Sequence, residues 1–134
     1  MRESGFSASL RKKLPGMCHR IENVAAEGTP DIAWIYKGQT RWIETKYHTG
    51  RSEVRNSQWL FDFFARKEGI STLFVHHDGK MIRGYLNIFC GPSNNQGYRP
   101  IVSPPEFEVA TIKEAAEAII ILTETKFGVK PTRI

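Results

Sequence analysis

Apolar positions change period along the chain, and each change marks an element. Phe6, Leu10 and Leu14 fall at i, i+4 and i+8, one face of a helix, and Pro15-Gly16 ends the run. This predicts a first helix over 3–14, with a first strand over 17–23. Asp31-Ile32-Ala33-Trp34-Ile35-Tyr36 is short, β-branched and aromatic, which suits a second strand. Residues 41–47 suit a third, and Lys37-Gly38-Gln39-Thr40 between them holds the glycine that a tight hairpin turn favours. A helix is predicted over 52–68, capped by Ser52 and closed by Gly69, with Leu60, Phe61, Phe64 and Ala65 as its inner stripe. Residues 70–77 read as a strand, Asp78-Gly79 as a turn, and 81–89 as the partner strand. Residues 91–105, rich in Gly, Pro, Asn and Gln, read as a long loop. Thr111-Ile112-Lys113-Glu114 is a capping box. It opens a last helix to about Lys126, with Ile112, Ala115, Ala116, Ile119 and Leu122 on one face.

The order through residue 77 is therefore helix, strand, strand, strand, helix, strand. A hairpin feeding a strand–helix–strand crossover gives an α/β fold, a mixed sheet with helices on both faces. At 134 residues the chain reads as one domain, with a core over about 3–89 and a C-terminal extension over 90–134. With 40% hydrophobic and 25% charged residues it is not a disordered composition. No apolar run is long enough for a membrane span, and Met1-Arg2-Glu3-Ser4-Gly5 lacks a signal-peptide core, so a cytoplasmic location is expected. Cys18 and Cys90 form no CxxC pair, which argues for reduced thiols and against a zinc or iron–sulfur framework. A net charge of +5 favours a polyanionic partner.

Candidate chemistry concentrates in the hairpin. Side chains alternate faces along a strand, so Glu44 and Lys46 share one, roughly 7 Å apart. A turn centred on Lys37-Gly38 sets Asp31 opposite Glu44, and one centred on Gly38-Gln39 sets it opposite Lys46. Opposed residues project from the same face, so both registers predict one cluster of Asp31, Glu44 and Lys46. An exposed strand often carries a Glu–Lys pair for solubility alone. Here both strands are apolar on both faces, and three charges against a covered sheet are costly without a task. Two carboxylates are hard ligands for Mg²⁺ or Mn²⁺, and a nearby ammonium can orient water or offset charge on a phosphate. His76-His77-Asp78 has metal-ligating residue types, but adjacent histidines on a strand point to opposite faces. Lys12, Lys13, Arg51 and Arg55 are candidates to flank the cluster and hold phosphates; a solvated charged face is the alternative.

That element order, with Pro30-Asp31 and Glu44-Thr45-Lys46, resembles the PD-(D/E)xK nuclease superfamily. Gly28-x-Pro30-Asp31, Trp42-Ile43-Glu44-x-Lys46, Gln58 opening an aromatic helix, and Gly69 before a strand are similar to its VRR-Nuc branch. The likeness covers roughly residues 3–85; nothing in 90–134 takes part. The resemblance implies a restriction-endonuclease-like fold and a metal-dependent, structure-specific endodeoxyribonuclease, acting on branched DNA such as a Holliday junction, with a homodimer as one form. Such proteins include small stand-alone phage and bacterial members. It implies Asp31 and Glu44 as ligands of Mg²⁺ or Mn²⁺, the Thr45 carbonyl as a further ligand, Lys46 as the residue that positions water, and Gln58 near the site. Glu3 matches a first-helix glutamate that completes the site in many members, with Glu22 and Glu27 as alternatives. Rival readings are a non-catalytic nucleic-acid-binding module, a protein–protein adaptor, and a restriction-type or flap nuclease.

Overall fold

A computed structural model of the chain describes residues 2–21, 28–48 and 50–125; the side chains of Glu3 and Ser4 are outside that description. The described elements are α1 (Glu3–Lys13), β1 (Met17–Arg20), β2 (Ile32–Tyr36), β3 (Gln39–Tyr47), β4 (Glu53–Arg55), α2 (Asn56–Lys67), β5 (Thr72–His77), β6 (Ile82–Tyr85), β7 (Tyr98–Pro100), β8 (Phe107–Val109) and α3 (Ile112–Thr125). A six-stranded sheet runs β1-β2-β3-β5-β6-β8, and β4 pairs with β7 in a separate two-stranded ribbon. β3 and β5 are parallel, joined through α2, and every other pair is antiparallel. The expected α/β class and the order of elements through residue 77 hold, with β4 inserted before α2.

The sheet is apolar on both faces, and different elements cover each. Ile32, Trp34, Ile43, Leu73, Val75 and Ile82 lie on one face, under Phe6, Leu10 and Leu14 of the α1 segment and Ala115, Ala116, Ile119 and Leu122 of α3. These residues are the predicted stripes of the two terminal helices. The box that opens α3 is present: Thr111 Oγ1 accepts from Glu114 N–H at 3.1 Å, and a Glu114 carboxylate oxygen accepts from Thr111 N–H at 3.1 Å. On the other face Phe74 and Tyr85 pack with Val54, Ile88 and Trp59. No helix of the described residues is long and apolar enough to cross a membrane. Both cysteines are free, and burial raises each thiol to about 11, which leaves them unreactive at neutral pH.

Several local expectations are corrected. The second helix starts at Asn56 instead of 52, because 53–55 pairs with 98–100 as a strand. Ser52 is therefore no cap; its Oγ accepts a hydrogen bond from the Tyr85 hydroxyl at 3.0 Å. The inner stripe of α2 is also displaced. Leu60 and Phe64 are exposed, while Asp62 is fully buried and accepts the Thr72 N–H at 2.9 Å. Arg66 lies 3.1 Å from the other Asp62 oxygen. A buried carboxylate with these partners outweighs the apolar positions in fixing how the helix is rotated. Residues 91–105 are not all loop, since β7 lies within them, and the strand expected over 81–89 ends at Tyr85.

Candidate active site

The hairpin closes in the first of its two expected registers. Ile32 stands opposite Ile43 and Tyr36 opposite Gln39, so the turn falls on Lys37 and Gly38, both at positive φ. Extending the ladder by one residue sets Asp31 beside Glu44. The Asp31 N–H donates to Glu44 Oε1 at 3.1 Å. Glu44 Oε2 in turn accepts from Gln58 Nε2 at 2.9 Å. Gln58 sits in the first turn of α2, where its Oε1 accepts the Arg55 N–H at 2.8 Å. One glutamine thus caps the helix and fixes the carboxylate.

Asp31 departs from strict alternation. It precedes the first residue of β2, and its carboxylate turns toward Thr45 instead of toward the face that bears Glu44 and Lys46. Oδ1 accepts the Thr45 N–H at 2.9 Å and Oδ2 the Thr45 hydroxyl at 2.7 Å. Burial raises its pKa above the ordinary value, partly countered by Thr45 and by the hydroxyl of Ser7 on α1, which is close by without a well-formed hydrogen bond. Both carboxylates are thus anchored at the end of the sheet, Glu44 by the main chain of residue 31 and Asp31 by Thr45. In an extended strand, N–H and C=O of one residue leave on the same side. The Thr45 carbonyl accordingly points past the start of β2, toward Asp31.

Lys46 lies on the Glu44 face, next to His76 of β5 in register. Its ammonium is 5.5 Å from the centre of the Tyr98 ring, a cation–π contact to β7. His76 is enclosed by Phe74, Tyr85 and His48, and its pKa falls to about 3 through burial, His48 and Lys46, so it is neutral. His77 points the other way, against Phe6 and Tyr47, as alternation requires. Lys46, His48, Arg51, Glu53 and Tyr98 line a cavity of about 480 Å³.

The predicted residues divide by place. Asp31, Glu44, Thr45 and Gln58 are joined by hydrogen bonds, and Lys46 is adjacent on the Glu44 strand. Arg51 is exposed on the cavity that contains Lys46, and Arg55 is exposed where α2 begins. Lys12 and Lys13 are exposed in the last turn of α1, ~8 Å farther along the helix axis than Ser7. The Glu3 side chain, Glu22 and Glu27 lie outside the described residues. Sequence reasoning missed Tyr98 and Ser7. Neither carries a local signal, because β7 is three residues long and Ser7 lies on an otherwise apolar helix face.

Among the described residues, no three His, Cys, Asp or Glu side chains converge as metal ligands. What they offer is two carboxylates and one main-chain carbonyl, all hard oxygen donors, held by neutral hydrogen-bond donors. That set suits Mg²⁺ or Mn²⁺, which keep several waters and need only one or two carboxylates. Gly28, at φ +88°, lies against the first turn of α2: a Cβ there would stand 2.3 Å from the Ser57 carbonyl oxygen. The glycine two residues before Pro30 thus lets the Asp31 segment reach the turn that carries Gln58. No protein-family model matches the chain, and no curated protein matches it.

Proposed function

We propose that the chain is a Mg²⁺- or Mn²⁺-dependent endodeoxyribonuclease that recognises DNA structure, with branched DNA as its substrate class. The reading is supported chiefly by one observation: a part-buried network of Asp31, Glu44, Thr45 and Gln58 at the end of the sheet, with Lys46 beside it. Asp31, Glu44 and the Thr45 carbonyl would hold the cation. When bound, the cation supplies a lowered pKa for water and offsets charge on the phosphate. Gln58 keeps Glu44 in one rotamer, so its oxygen is in place before substrate arrives. Lys46 orients the attacking water and counters negative charge as it grows on the phosphate. Water oxygen bonds to phosphorus, the bond to the 3′ oxygen breaks in line, and that oxygen leaves with a proton. The products are a 5′ phosphate and a 3′ hydroxyl.

The test is incubation with Mg²⁺ or Mn²⁺ and a panel of junction, flap, duplex and single-stranded DNA. Wild type is expected to cut a branched member, and Lys46→Ala to lower the rate by about 100-fold or more. Metal-dependent cutting by Lys46→Ala at the wild-type rate would refute the assignment. The two-carboxylate count among the described residues favours a second reading, a DNA-binding module without catalysis. That reading predicts salt-sensitive retention of the same DNAs with no cleavage.

A further inference from the structure

A second cavity, of about 520 Å³, shares Tyr98 with the cavity that contains Lys46. Its volume is within the range of small-ligand pockets, ~300–1,000 Å³. Arg55, Asn56, Leu60, Gln96 and Tyr98 are among its lining residues. The set combines an aromatic ring, an aliphatic side chain, two carboxamides and a guanidinium. An aromatic ring and an aliphatic wall accept the flat faces of a nucleobase. Carboxamides match the donor–acceptor edge that a base exposes once it leaves its pair. A guanidinium suits the attached phosphate.

The walls are fixed in place. The turn that bears Gln96 is closed by Asn94, whose Oδ1 accepts from Gln96 N–H at 2.8 Å and from Tyr98 N–H at 3.0 Å. It is fastened to α2 by Asn56 N–H, which donates to the Gly97 carbonyl at 2.8 Å. Arg99 adds a second tie: its guanidinium lies 4.0 Å from the Trp59 ring centre and its Nε donates to Asn56 Oδ1 at 2.7 Å. The cavity also adjoins the carboxylate network. Arg55 N–H binds Gln58, and Gln58 binds Glu44. Tyr98 is shared by the two cavities and meets Lys46.

The geometry points to a pocket for one unpaired nucleotide beside the phosphate to be cut, its base stacked on Tyr98 and its edge facing Gln96 and Asn56. This rests on the nuclease reading and narrows it: the substrate has an unpaired nucleotide next to the cleavage position, as at a flap base or an open junction. A fully paired duplex has no base to offer.

The experiment uses 2-aminopurine, a fluorescent adenine analogue, at one unpaired position of a branched oligonucleotide, and at the same position fully paired. In EDTA, wild type should quench the unpaired probe and bind it at least ~10-fold more tightly than the paired one. Tyr98→Ala should lose the quench and weaken binding by about 5- to 100-fold. Tyr98→Phe should retain both, which separates stacking from misfolding. Gln96→Ala, an exposed change, should weaken the unpaired complex alone. Equal binding of both probes by wild type, or full quench by Tyr98→Ala, would overturn the pocket. Adding Mg²⁺ separates the two proposals. Cleavage without quench overturns the pocket and keeps the nuclease; quench without cleavage does the reverse.

Discussion

Asp31 carries its charge at the expense of stability. Its folded-state pKa is raised by burial, so the ionised form is less comfortable in the fold than in the unfolded chain. A raised carboxylate pKa penalises the native state above that pKa, and the penalty fades as pH falls through it. Asp31→Asn removes the charge and keeps the contacts: Oδ1 can still accept the Thr45 N–H, and Nδ2 can donate to the Thr45 hydroxyl. We expect Asp31→Asn to be more stable than wild type at pH 7 in EDTA, by about 0.5–2 kcal/mol. The gain should shrink toward pH 4. Denaturant titrations at the two pH values measure it. Metal-dependent cleavage by the same variant should be lost. A less stable Asp31→Asn would show that the Thr45 bonds need a carboxylate.

At the scale of elements, the packing of the Gly28 segment on α2 is the point of least tolerance. Alanine at φ +88° carries about 1–3 kcal/mol of strain, and its Cβ would also meet the Ser57 carbonyl. Gly28→Ala should therefore lower Tm by on the order of 5 °C, read by calorimetry. It should also push the first turn of α2 outward and with it Gln58, so cleavage should fall more than stability alone explains. The hairpin that presents Asp31 and Glu44 was legible in the sequence because β-branched runs, a turn glycine and period-two spacing all agree. So were α1 and α3, whose apolar stripes match their buried faces. The rotation of α2 was not legible. Its inward side is set by Asp62 bonding Thr72, a contact made after the helix ends, and periodicity assigns a charged residue to the outside. The β4–β7 ribbon was hidden for a related reason. Three-residue strands have too little pattern to read, and their pairing is decided by Arg99 reaching Asn56, 43 positions away. One of the two registers left open for Asp31 holds, but its carboxylate was assigned to the wrong face, because alternation holds only inside a strand and the residue lies just before one.

For the molecule as a whole, the buried His76 sets a limit in acid. Its pKa of about 3 in the fold is far below the ordinary value of 6.5, so the native state binds fewer protons than the unfolded chain between those two values. The stability this group contributes is complete above pH 6.5 and is lost progressively as pH falls toward 3. Urea midpoints should accordingly decline from pH 6.5 downward, before most carboxylates titrate. A variant such as His76→Phe should show a shallower decline over the same interval. A wild-type midpoint that stays flat from pH 6.5 to 5 would contradict the enclosed, neutral imidazole.

The covering of the sheet has a consequence in time. As a chain leaves the ribosome, Asp31, Glu44 and Gln58 are all exposed to solvent before β5 exists to flank β3. The ammonium of Lys46 meets its aromatic neighbour only once residue 98 has emerged. Phe6, Leu10 and Leu14 are made first and can cover Ile32 and Ile43, but Ile82 on β6 stays open to water until the segment of 112–122 arrives. Polar geometry is thus laid down early and the oily seal is completed last. A nascent chain halted near residue 110 would hold its chemical groups in place with only the α1 part of its cover over the core, and would be a natural client for chaperones.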